Sequence, residues 1–392
     1  MKLQKKKKKP RKTHVAVAIV EEFFRRNPKG RVLICSYSNV AVDVLCRRIA
    51  DRGMQCLRLG YQSDLEEQGY GHLLLRNQSS YRDAMKTPII ACTCIGSKSS
   101  LKHRFDLVLI DETSQCSEIG ILPPLQKLKD GGSLVLIGDH QQLPPTVLSF
   151  IAKQRGLQTS LFERLIKNGR KAEFLDIQYR MHASLSEFPS RQFYDGRLKT
   201  ADNLERHIPR GFPWPVADYP VCFVHVESEE VRNAMQSVEN EKEADLVVKI
   251  AQQIWEENRD TWIANAVKNP ASKVNNSITI ITPYRGQKAK IEQKLILNRL
   301  QIEPKIDVCT VDGFQGNESE VIIFSAVRSN LWQNIGFVRD QPRINVMLTR
   351  ARCGLIVIGN MDTLISQVLW RKWLRNVAVE RGSIIDSRVL TF

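Results

Sequence analysis

The segment with the clearest chemical potential is an apolar run that ends in two acids. Residues 106–115 read Asp-Leu-Val-Leu-Ile-Asp-Glu-Thr-Ser-Gln, so a predicted strand places Asp111 and Glu112 at its carboxyl end. Ligands of parallel α/β sheets bind at that edge. A carboxylate there can hold Mg²⁺, which prefers oxygen ligands, and a second one can orient an attacking water. In isolation, the pair is equally consistent with two solvated acids at a strand end.

A second polar loop follows the next predicted strand. Residues 132–137 form an apolar run, and residues 138–145 read Gly-Asp-His-Gln-Gln-Leu-Pro-Pro. Because the carboxyl ends of parallel strands meet at one edge of a sheet, this loop should lie at the same edge as Asp111 and Glu112. The sequence therefore predicts one polar site that is built from two strand ends.

The elements that must position these loops alternate along the chain. Short β-rich apolar runs are separated by longer helical stretches, which indicates parallel sheets with crossover helices. The first series has a helix at 14–26 and strands at 31–36, 87–93, 105–110, 132–137 and 172–177. The second has strands at 221–226, 277–282, 306–311, 321–327 and 354–359, with helices at 238–257 and from 287. We predict an α/β fold with two tandem RecA-like lobes, parallel sheets and a cleft between the lobes.

The chain of 392 residues is long enough for two domains of ordinary size. Four prolines punctuate a polar stretch between residues 189 and 215, and we place the passage between domains near its start. The first lobe is predicted at 12–188, without its first strand, and the second at 189–392. Residues 1–11 carry a basic run and are predicted to be a disordered arm.

Composition limits the classes of function. The 58 Lys and Arg residues exceed the 42 Asp and Glu residues by 16 charges, which favours a polyanionic partner. The closest pair among nine cysteines, Cys92 and Cys94, lacks the C-x-x-C spacing of a zinc site, so we expect reduced thiols in an intracellular protein, cytoplasmic or nuclear. No apolar run is long enough for a bilayer span or a secretory signal, so no membrane partner is expected.

Further segments complete an ordered pattern. They are Cys-Ser-Tyr-Ser-Asn-Val-Ala-Val-Asp at 35–43, Gln-Tyr-Arg-Met-His at 178–182, Thr-Pro-Tyr-Arg-Gly-Gln at 282–287, Val-Asp-Gly-Phe-Gln-Gly-Asn-Glu-Ser-Glu at 311–320 and Asn-Val-Met-Leu-Thr-Arg-Ala-Arg at 345–352. Together with the two loops above, they resemble motifs Ia to VI of the Upf-like (DNA2/NAM7-type) helicases of superfamily 1. The resemblance runs in order from Lys12 to Asn360.

The resemblance implies an ATP-dependent helicase or translocase of the P-loop NTPase class. It implies ATP and Mg²⁺ in the cleft and movement on single-stranded nucleic acid in the 5′ to 3′ direction. We expect RNA rather than DNA, although contacts to phosphates accommodate both polymers. We also expect a monomer, and the sequence names no protein partner.

The resemblance gives individual residues a role in ATP hydrolysis. It implies that Asp111 binds Mg²⁺ and that Glu112 is the base that orients water. Gln142 would sense the γ-phosphate, and Arg180 and Arg350 would contact it and stabilise the charge on the transferred phosphoryl group.

Other residues are implied in binding. Lys12 and Thr13 would meet the phosphates, with Thr13 joining Asp111 at Mg²⁺, and Glu318 would hydrogen-bond the ribose. Tyr284 would stack on adenine, with a packing contact as the alternative. The residues implied in nucleic-acid contacts are Ser38, Asn39, Thr93 and Thr310.

The phosphate-binding loop departs from the family pattern. A P-loop needs Gly-x-x-x-x-Gly-Lys-Ser/Thr so that backbone N–H groups can wrap the phosphates, whereas residues 6–13 read Lys-Lys-Lys-Lys-Pro-Arg-Lys-Thr. Lys6 and Arg11 replace the two glycines, and Pro10 removes a backbone donor. Two explanations stay open. Either the true start lies upstream, which the abrupt return of the pattern at Lys12 favours, or the chain is a degenerate relative that binds nucleic acid without hydrolysing ATP.

Overall fold

The structure is a computed structural model that describes residues 12–60, 63–100, 103–268, 277–298 and 306–391. The chain divides into two compact units, the first ending at Leu175 and the second beginning at Asp176. Each unit is built on a parallel sheet, which confirms the predicted α/β fold class. Within the described ranges, no helix has both the length and the hydropathy of a membrane span. The arm predicted at residues 1–11 lies outside the described residues.

The first unit carries a five-stranded parallel sheet with the order β2-β3-β1-β4-β5. Its strands are β1 (Val32–Ser36), β2 (Cys56–Arg58), β3 (Ile89–Thr93), β4 (Phe105–Asp111) and β5 (Leu128–Leu136). Its helices are α1 (Lys12–Arg26), α2 (Asn39–Ala50), α3 (Tyr81–Ala84), α4 (Ser97–Ser100), α5 (Glu118–Leu125), α6 (Phe150–Gln154) and α7 (Leu161–Lys167).

Burial on both faces explains why β1 and β4 are nearly continuous apolar runs. Val32 and Leu107 pack into one core cluster together with residues of α1 and α2, whereas Leu33 and Val108 pack into the cluster on the opposite face. A parallel strand that is covered on both faces reads as an unbroken hydrophobic segment. The two clusters fix the carboxyl end of β4, where the paired acids follow.

The second unit carries a six-stranded parallel sheet with the order β12-β11-β13-β14-β8-β15, an antiparallel β9–β10 hairpin and a short β6–β7 pair. Its strands are β6 (Ile177–Gln178), β7 (Lys199–Thr200), β8 (Val221–His225), β9 (Val231–Arg232), β10 (Val238–Glu239), β11 (Ile278–Thr282), β12 (Ile306–Thr310), β13 (Ser319–Ser325), β14 (Ala351–Gly359) and β15 (Ile384–Asp386). Its helices are α8 (Ala183–Phe193), α9 (Glu241–Lys268), α10 (Arg285–Leu297), α11 (Gln341–Leu348), α12 (Met361–Leu364) and α13 (Val368–Leu374).

The division between the units falls earlier than the predicted passage after residue 188. Residues 176–188 pack with the second unit. β6 pairs with β7, and the N–H of His182 donates to the carbonyl of Arg352 over 2.8 Å. These contacts join the segment to a sheet that is distant along the chain, so the prolines that follow do not mark the boundary.

Two predicted elements also differ from the structure. The strand predicted at 172–177 is wrong, because only Ile177 and Gln178 pair with a neighbouring strand and residues 172–176 are irregular. The helix predicted from Val238 begins at Glu241, because Asn240 accepts the N–H of Glu243 through its side chain over 3.1 Å and thereby caps the helix. The two residues before the cap form β10 instead.

Candidate functional site

Asp111 and Glu112 lie side by side at the carboxyl end of β4. Asp111 is buried, and its Oδ1 accepts the backbone N–H of Glu112 over 2.9 Å. Glu112 adopts a left-handed backbone conformation with φ 51°, and its Oε2 accepts from Gln115 Nε2 over 3.1 Å. Such conformations cost free energy for a residue other than glycine and concentrate at functional sites. The turn holds both carboxylates at one strand end.

The electrostatic surroundings of Asp111 fit a site for a cation. The pKa of Asp111 is raised to about 7, chiefly by burial and in smaller part by the negative charge of Glu112, whereas the positive charge of Lys12 lowers it. A divalent cation would favour the ionised carboxylate in the same way as Lys12, and more strongly. The oxygen donors of Asp111 therefore suit Mg²⁺.

The loop after β5 packs directly against this turn. The N–H and the hydroxyl of Thr113 both donate to the carbonyl of Ile137 over 2.9 Å. A Cβ at Gly138 would lie 2.8 Å from the Thr113 hydroxyl, so only glycine allows this approach. Asp139 then accepts from the Gln142 side chain over 2.7 Å. The structure thus brings Gln142 to the same sheet edge as the two acids.

Lys12 and Thr13 open helix α1, which packs against α2 and β4. Lys12 is close enough to Asp111 to lower its pKa. Both residues are half-buried, and Ala16 and Val17 anchor the helix one turn later. The substituted glycine positions 6 and 11 lie outside the described residues.

Ser38 and Asn39 serve the local structure of the first unit. The Ser38 hydroxyl accepts the N–H of Ala41 over 3.2 Å and caps helix α2. Asn39 Oδ1 accepts from Arg58 Nη2 over 2.8 Å, and the buried Arg58 also forms an ion pair with Asp43 at 2.7 Å. A helix cap, a side-chain hydrogen bond and a buried ion pair therefore hold this loop.

Thr93 and Thr310 occupy equivalent places in the two units. Each ends a strand, and each hydroxyl accepts the N–H of the glycine three residues later, Gly96 over 3.1 Å and Gly313 over 3.2 Å. The repeated Thr-x-x-Gly pattern is visible in the sequence at residues 93–96 and 310–313, and it could have predicted this turn. Its two occurrences show that both units build the same turn at the carboxyl end of a strand.

Arg180 and Glu318 meet in the second unit. The two side chains form an ion pair at 2.7 Å, and Arg180 Nη1 also donates to the carbonyl of Thr349 over 2.9 Å. Arg350 is buried and donates to the Val346 carbonyl over 2.9 Å and to the Thr349 hydroxyl over 3.1 Å. The structure thus brings Arg180, Glu318 and Arg350 together at the amino ends of β13 and β14.

Comparison with known proteins places the chain among known families. Residues 157–362 match a family described as AAA domain, and residues 10–84 and 75–150 match a second family of the same description. The chain is 36% identical to the ATP-dependent helicase NAM7 of Saccharomyces cerevisiae, with 91% of the chain and 40% of that protein covered. It is 35% identical to a regulator of nonsense transcripts 1 homolog of Arabidopsis thaliana, with 92% of the chain and 31% of that protein covered.

The chain belongs to the Upf1-like family of superfamily 1 helicases. It spans roughly a third of the length of the curated relatives that it matches. Among solved structures, it is similar to the arterivirus nonstructural protein 10 helicase, with 13% identity, a TM-score of 0.48, and 89% of this chain and 57% of that chain covered.

In this Upf1-like chain, three more polar residues join the arginine cluster. Arg352 Nη1 forms an ion pair with Glu320 at 2.5 Å. Arg206 donates to the carbonyls of Arg180 and Tyr179 over 2.8 and 3.1 Å, and burial lowers the pKa of Arg206. Arg206 was not predicted from the sequence, because it lies in the irregular proline-containing stretch, outside the helicase motifs.

Tyr284 does not present its ring to solvent in this Upf1-like chain. It is buried, packs edge-on against Phe337 with ring centroids 5.9 Å apart, and accepts from Arg328 Nη1 over 3.3 Å. The structure thus shows the packing contact, and the stacking role stays a prediction.

Proposed function

We propose that the chain is the motor core of an ATP-dependent helicase or translocase that acts on single-stranded nucleic acid. The observation that carries this proposal is the turn after β4, where Asp111 and Glu112 lie together and the loop with Gln142 packs against them. A catalytic site for phosphoryl transfer needs a cation ligand and a residue that positions water close to each other. Family membership supports the same activity.

In the proposed reaction, Asp111 and Thr13 would hold Mg²⁺ while Lys12 binds phosphate oxygens. Bound Mg²⁺ would supply neutralising charge at the phosphates. Glu112 positions the water, and its left-handed backbone holds the carboxylate at the strand end. Gln142, which donates a hydrogen bond to Asp139, senses the terminal phosphate by contacting it.

In the second unit, we propose that Arg180 and Arg350 stabilise negative charge on the terminal phosphate and that Glu318 binds the ribose. Arg180 and Glu318 hold each other in the structure, so both must exchange this ion pair for nucleotide contacts. The arginines suit the role because a guanidinium stays charged and donates several hydrogen bonds in a fixed geometry.

For the polymer, we propose single-stranded RNA rather than DNA, 5′ to 3′ movement and a monomer in an intracellular compartment. The contacts would come from Ser38, Asn39, Thr93 and Thr310. Their turns expose backbone and hydroxyl groups that suit phosphates, and such contacts do not depend on base sequence.

A second candidate function is a clamp that binds strands without using ATP. The residues in place of the P-loop glycines, Lys6 and Arg11, favour it, because their side chains oppose a close approach of backbone to phosphate. Steady-state hydrolysis of ATP with and without single-stranded RNA or DNA separates the two candidates. The motor predicts that a strand accelerates hydrolysis, whereas the clamp predicts none under either condition.

The hydrolysis assay needs a variant that removes the base alone. We expect Glu112→Gln to lower the turnover by about 100-fold or more while strand binding persists, because the amide cannot accept the proton of water. Glu67→Gln, at an exposed glutamate of the same unit, is the matched control and should hydrolyse ATP as the wild type does. Equal turnover of wild type and Glu112→Gln would remove Glu112 from the mechanism.

A further inference from the structure

A loop of the second unit exposes two large apolar side chains. Residues 326–340 connect β13 to α11, and in this loop Leu331 and Trp332 are 98% and 89% exposed. Large apolar side chains exposed side by side on a protein surface mark contact sites more often than isolated ones do. The loop is therefore a candidate for a binding surface that the helicase motifs do not include.

The backbone under these side chains is held from within the loop and from outside it. The Asn330 side chain accepts the N–H of Asn334 over 2.8 Å and donates to its carbonyl over 3.0 Å. Glu230 accepts from the Asn330 side chain over 3.0 Å and from the N–H of Ser329 over 2.8 Å. The loop presents Leu331 and Trp332 on an ordered frame, so little conformational entropy is lost when a ligand binds them.

A buried polar network fixes the beginning of the same loop. Val327 has a φ of 71°, which is unfavourable for a β-branched residue. The buried Glu243 accepts the N–H of Val327 over 2.9 Å, and Asn240 donates to the carbonyl of Val327 over 3.3 Å. The fold therefore sustains a strained backbone at the point where the chain turns towards Trp332.

The loop lies at the same sheet edge as Thr310. β12, β11 and β13 are parallel neighbours, so the carboxyl ends of β12 and β13 lie at one edge of the sheet, about 10 Å apart, and the turn and the loop begin there. Arg343 links them: it pairs with Asp312, two residues after Thr310, at 2.9 Å, and its guanidinium lies 5.8 Å from the ring centroid of Phe337.

Two further arginines are exposed on elements that start at this edge. They are Arg285, the first residue of α10, which follows β11, and Arg339, within the loop. Exposed rings beside cations are the combination with which proteins bind single strands, since every base has a face that can stack and every nucleotide carries a phosphate. A pocket on a protein partner would suit the apolar pair but would not account for the exposed arginines at this edge.

We propose that Trp332 is a stacking platform for one base of a single strand whose phosphates pass the turn at Thr310, with Leu331 in contact with the same base. The proposal rests on the proposed function and adds a base contact to the phosphate contacts. It predicts that the neutral side chain of Trp332 contributes much of the affinity for single strands, although it is distant from the residues that are proposed to bind ATP.

The test measures the affinity of the full chain for a fluorescein-labelled oligouridylate of about 12 nucleotides. We expect Trp332→Ala to raise Kd by about 5- to 100-fold and Trp332→Phe to stay within about threefold of the wild type. The matched control is Val368→Ala, which truncates another exposed apolar residue of this unit and should leave Kd unchanged. Because Trp332 is exposed, its variants should unfold at the wild-type temperature.

Tryptophan emission supplies a second readout. The strand should quench emission of the wild type, which has six tryptophans, and Trp332→Phe should bind with that part of the quenching lost. If the wild type binds and Trp332→Ala binds equally well, the platform is overturned, the proposed function stands, and the loop is assigned to a protein partner. If the wild type binds no strand at all, the platform and the proposed function both fall.

Discussion

Glu243 is a completely buried carboxyl group in the second unit. Its Oε2 accepts from the Ser325 hydroxyl over 2.7 Å and from the N–H of Val327 over 2.9 Å, and its Oε1 has no hydrogen-bond partner among the described residues. Burial raises the pKa of Glu243 to about 7, which the two donors oppose and the charge of Glu230 supports. The native protein therefore keeps a proton that the unfolded chain releases near pH 4.5.

This raised pKa makes stability depend on pH. The contribution of the protonated Glu243 is complete below about pH 4.5 and is lost as the pH rises towards about 7, because the unfolded chain then binds fewer protons than the native one. Glu243→Gln does not titrate, so between about pH 5 and about pH 8 it should gain stability relative to wild type, by roughly 3 kcal/mol at most. Urea unfolding at the two pH values measures the difference.

A control for this experiment is Glu257→Gln, an exposed position on the same helix. Its stability should follow that of the wild type at both pH values. If Glu243→Gln and the control behave alike, Glu243 is ionised in the native protein, and the orphan Oε1 has another explanation.

Single residues also show what the sequence could and could not predict. Asp111 and Glu112 were predictable because an apolar strand fixes their place and Gly138 keeps the next loop close. The partners of Arg180 and Asn39 were not, because Glu318 is 138 positions away along the chain and Arg58 lies on a short strand. Contacts of this kind depend on tertiary packing between distant residues, which leaves no periodic pattern in the sequence.

At the scale of elements, Ser38, the residue before helix α2, has two candidate roles. The Ser38 hydroxyl caps the helix, and the same residue is proposed to contact phosphate. Ser38→Ala removes the cap and should lower the free energy of unfolding by about 1 kcal/mol. Ser38→Asp keeps a capping oxygen and places a negative charge at the helix amino end, so it should unfold like the wild type.

The two Ser38 variants separate structure from binding. In a strand-binding titration, Ser38→Asp should bind several-fold more weakly than wild type because its carboxylate repels phosphate. Wild-type affinity of Ser38→Asp would show that Ser38 only caps the helix. A loss of stability in Ser38→Asp equal to that in Ser38→Ala would mean that the cap geometry does not accept a carboxylate.

Elements buried on both faces were the predictable ones. β1, β3 and β11 match their predicted ranges within a few residues, since continuous apolar runs read as central parallel strands. The predicted strand at 172–177 contains Glu173 and Asp176 between its apolar residues, and only its last residue pairs with a neighbouring strand. β5 begins four residues before its predicted start, because the strand continues across Gly131, with φ 72°, and a register shift against β4.

At the scale of the whole molecule, the formal charge of +16 sets how binding should respond to salt. Each phosphate that the chain neutralises releases a counterion, so log Kd rises linearly with log salt, with a slope near 0.7 for each contact to a single strand. For three to six contacts, raising the salt from about 50 to about 200 mM should weaken binding by about 20- to 300-fold. Fluorescence anisotropy at several salt concentrations gives the slope.

RNA and DNA strands of equal length should give the same slope, because both carry one phosphate per nucleotide. A preference for RNA would then appear as a constant offset in log Kd, the mark of contacts to the 2′-hydroxyl. Trp332→Ala should likewise shift log Kd without changing the slope, since the ring is uncharged. An affinity that does not respond to salt would mean that the excess positive charge does not contact the strand, and would remove phosphate contacts as the basis of the proposed movement.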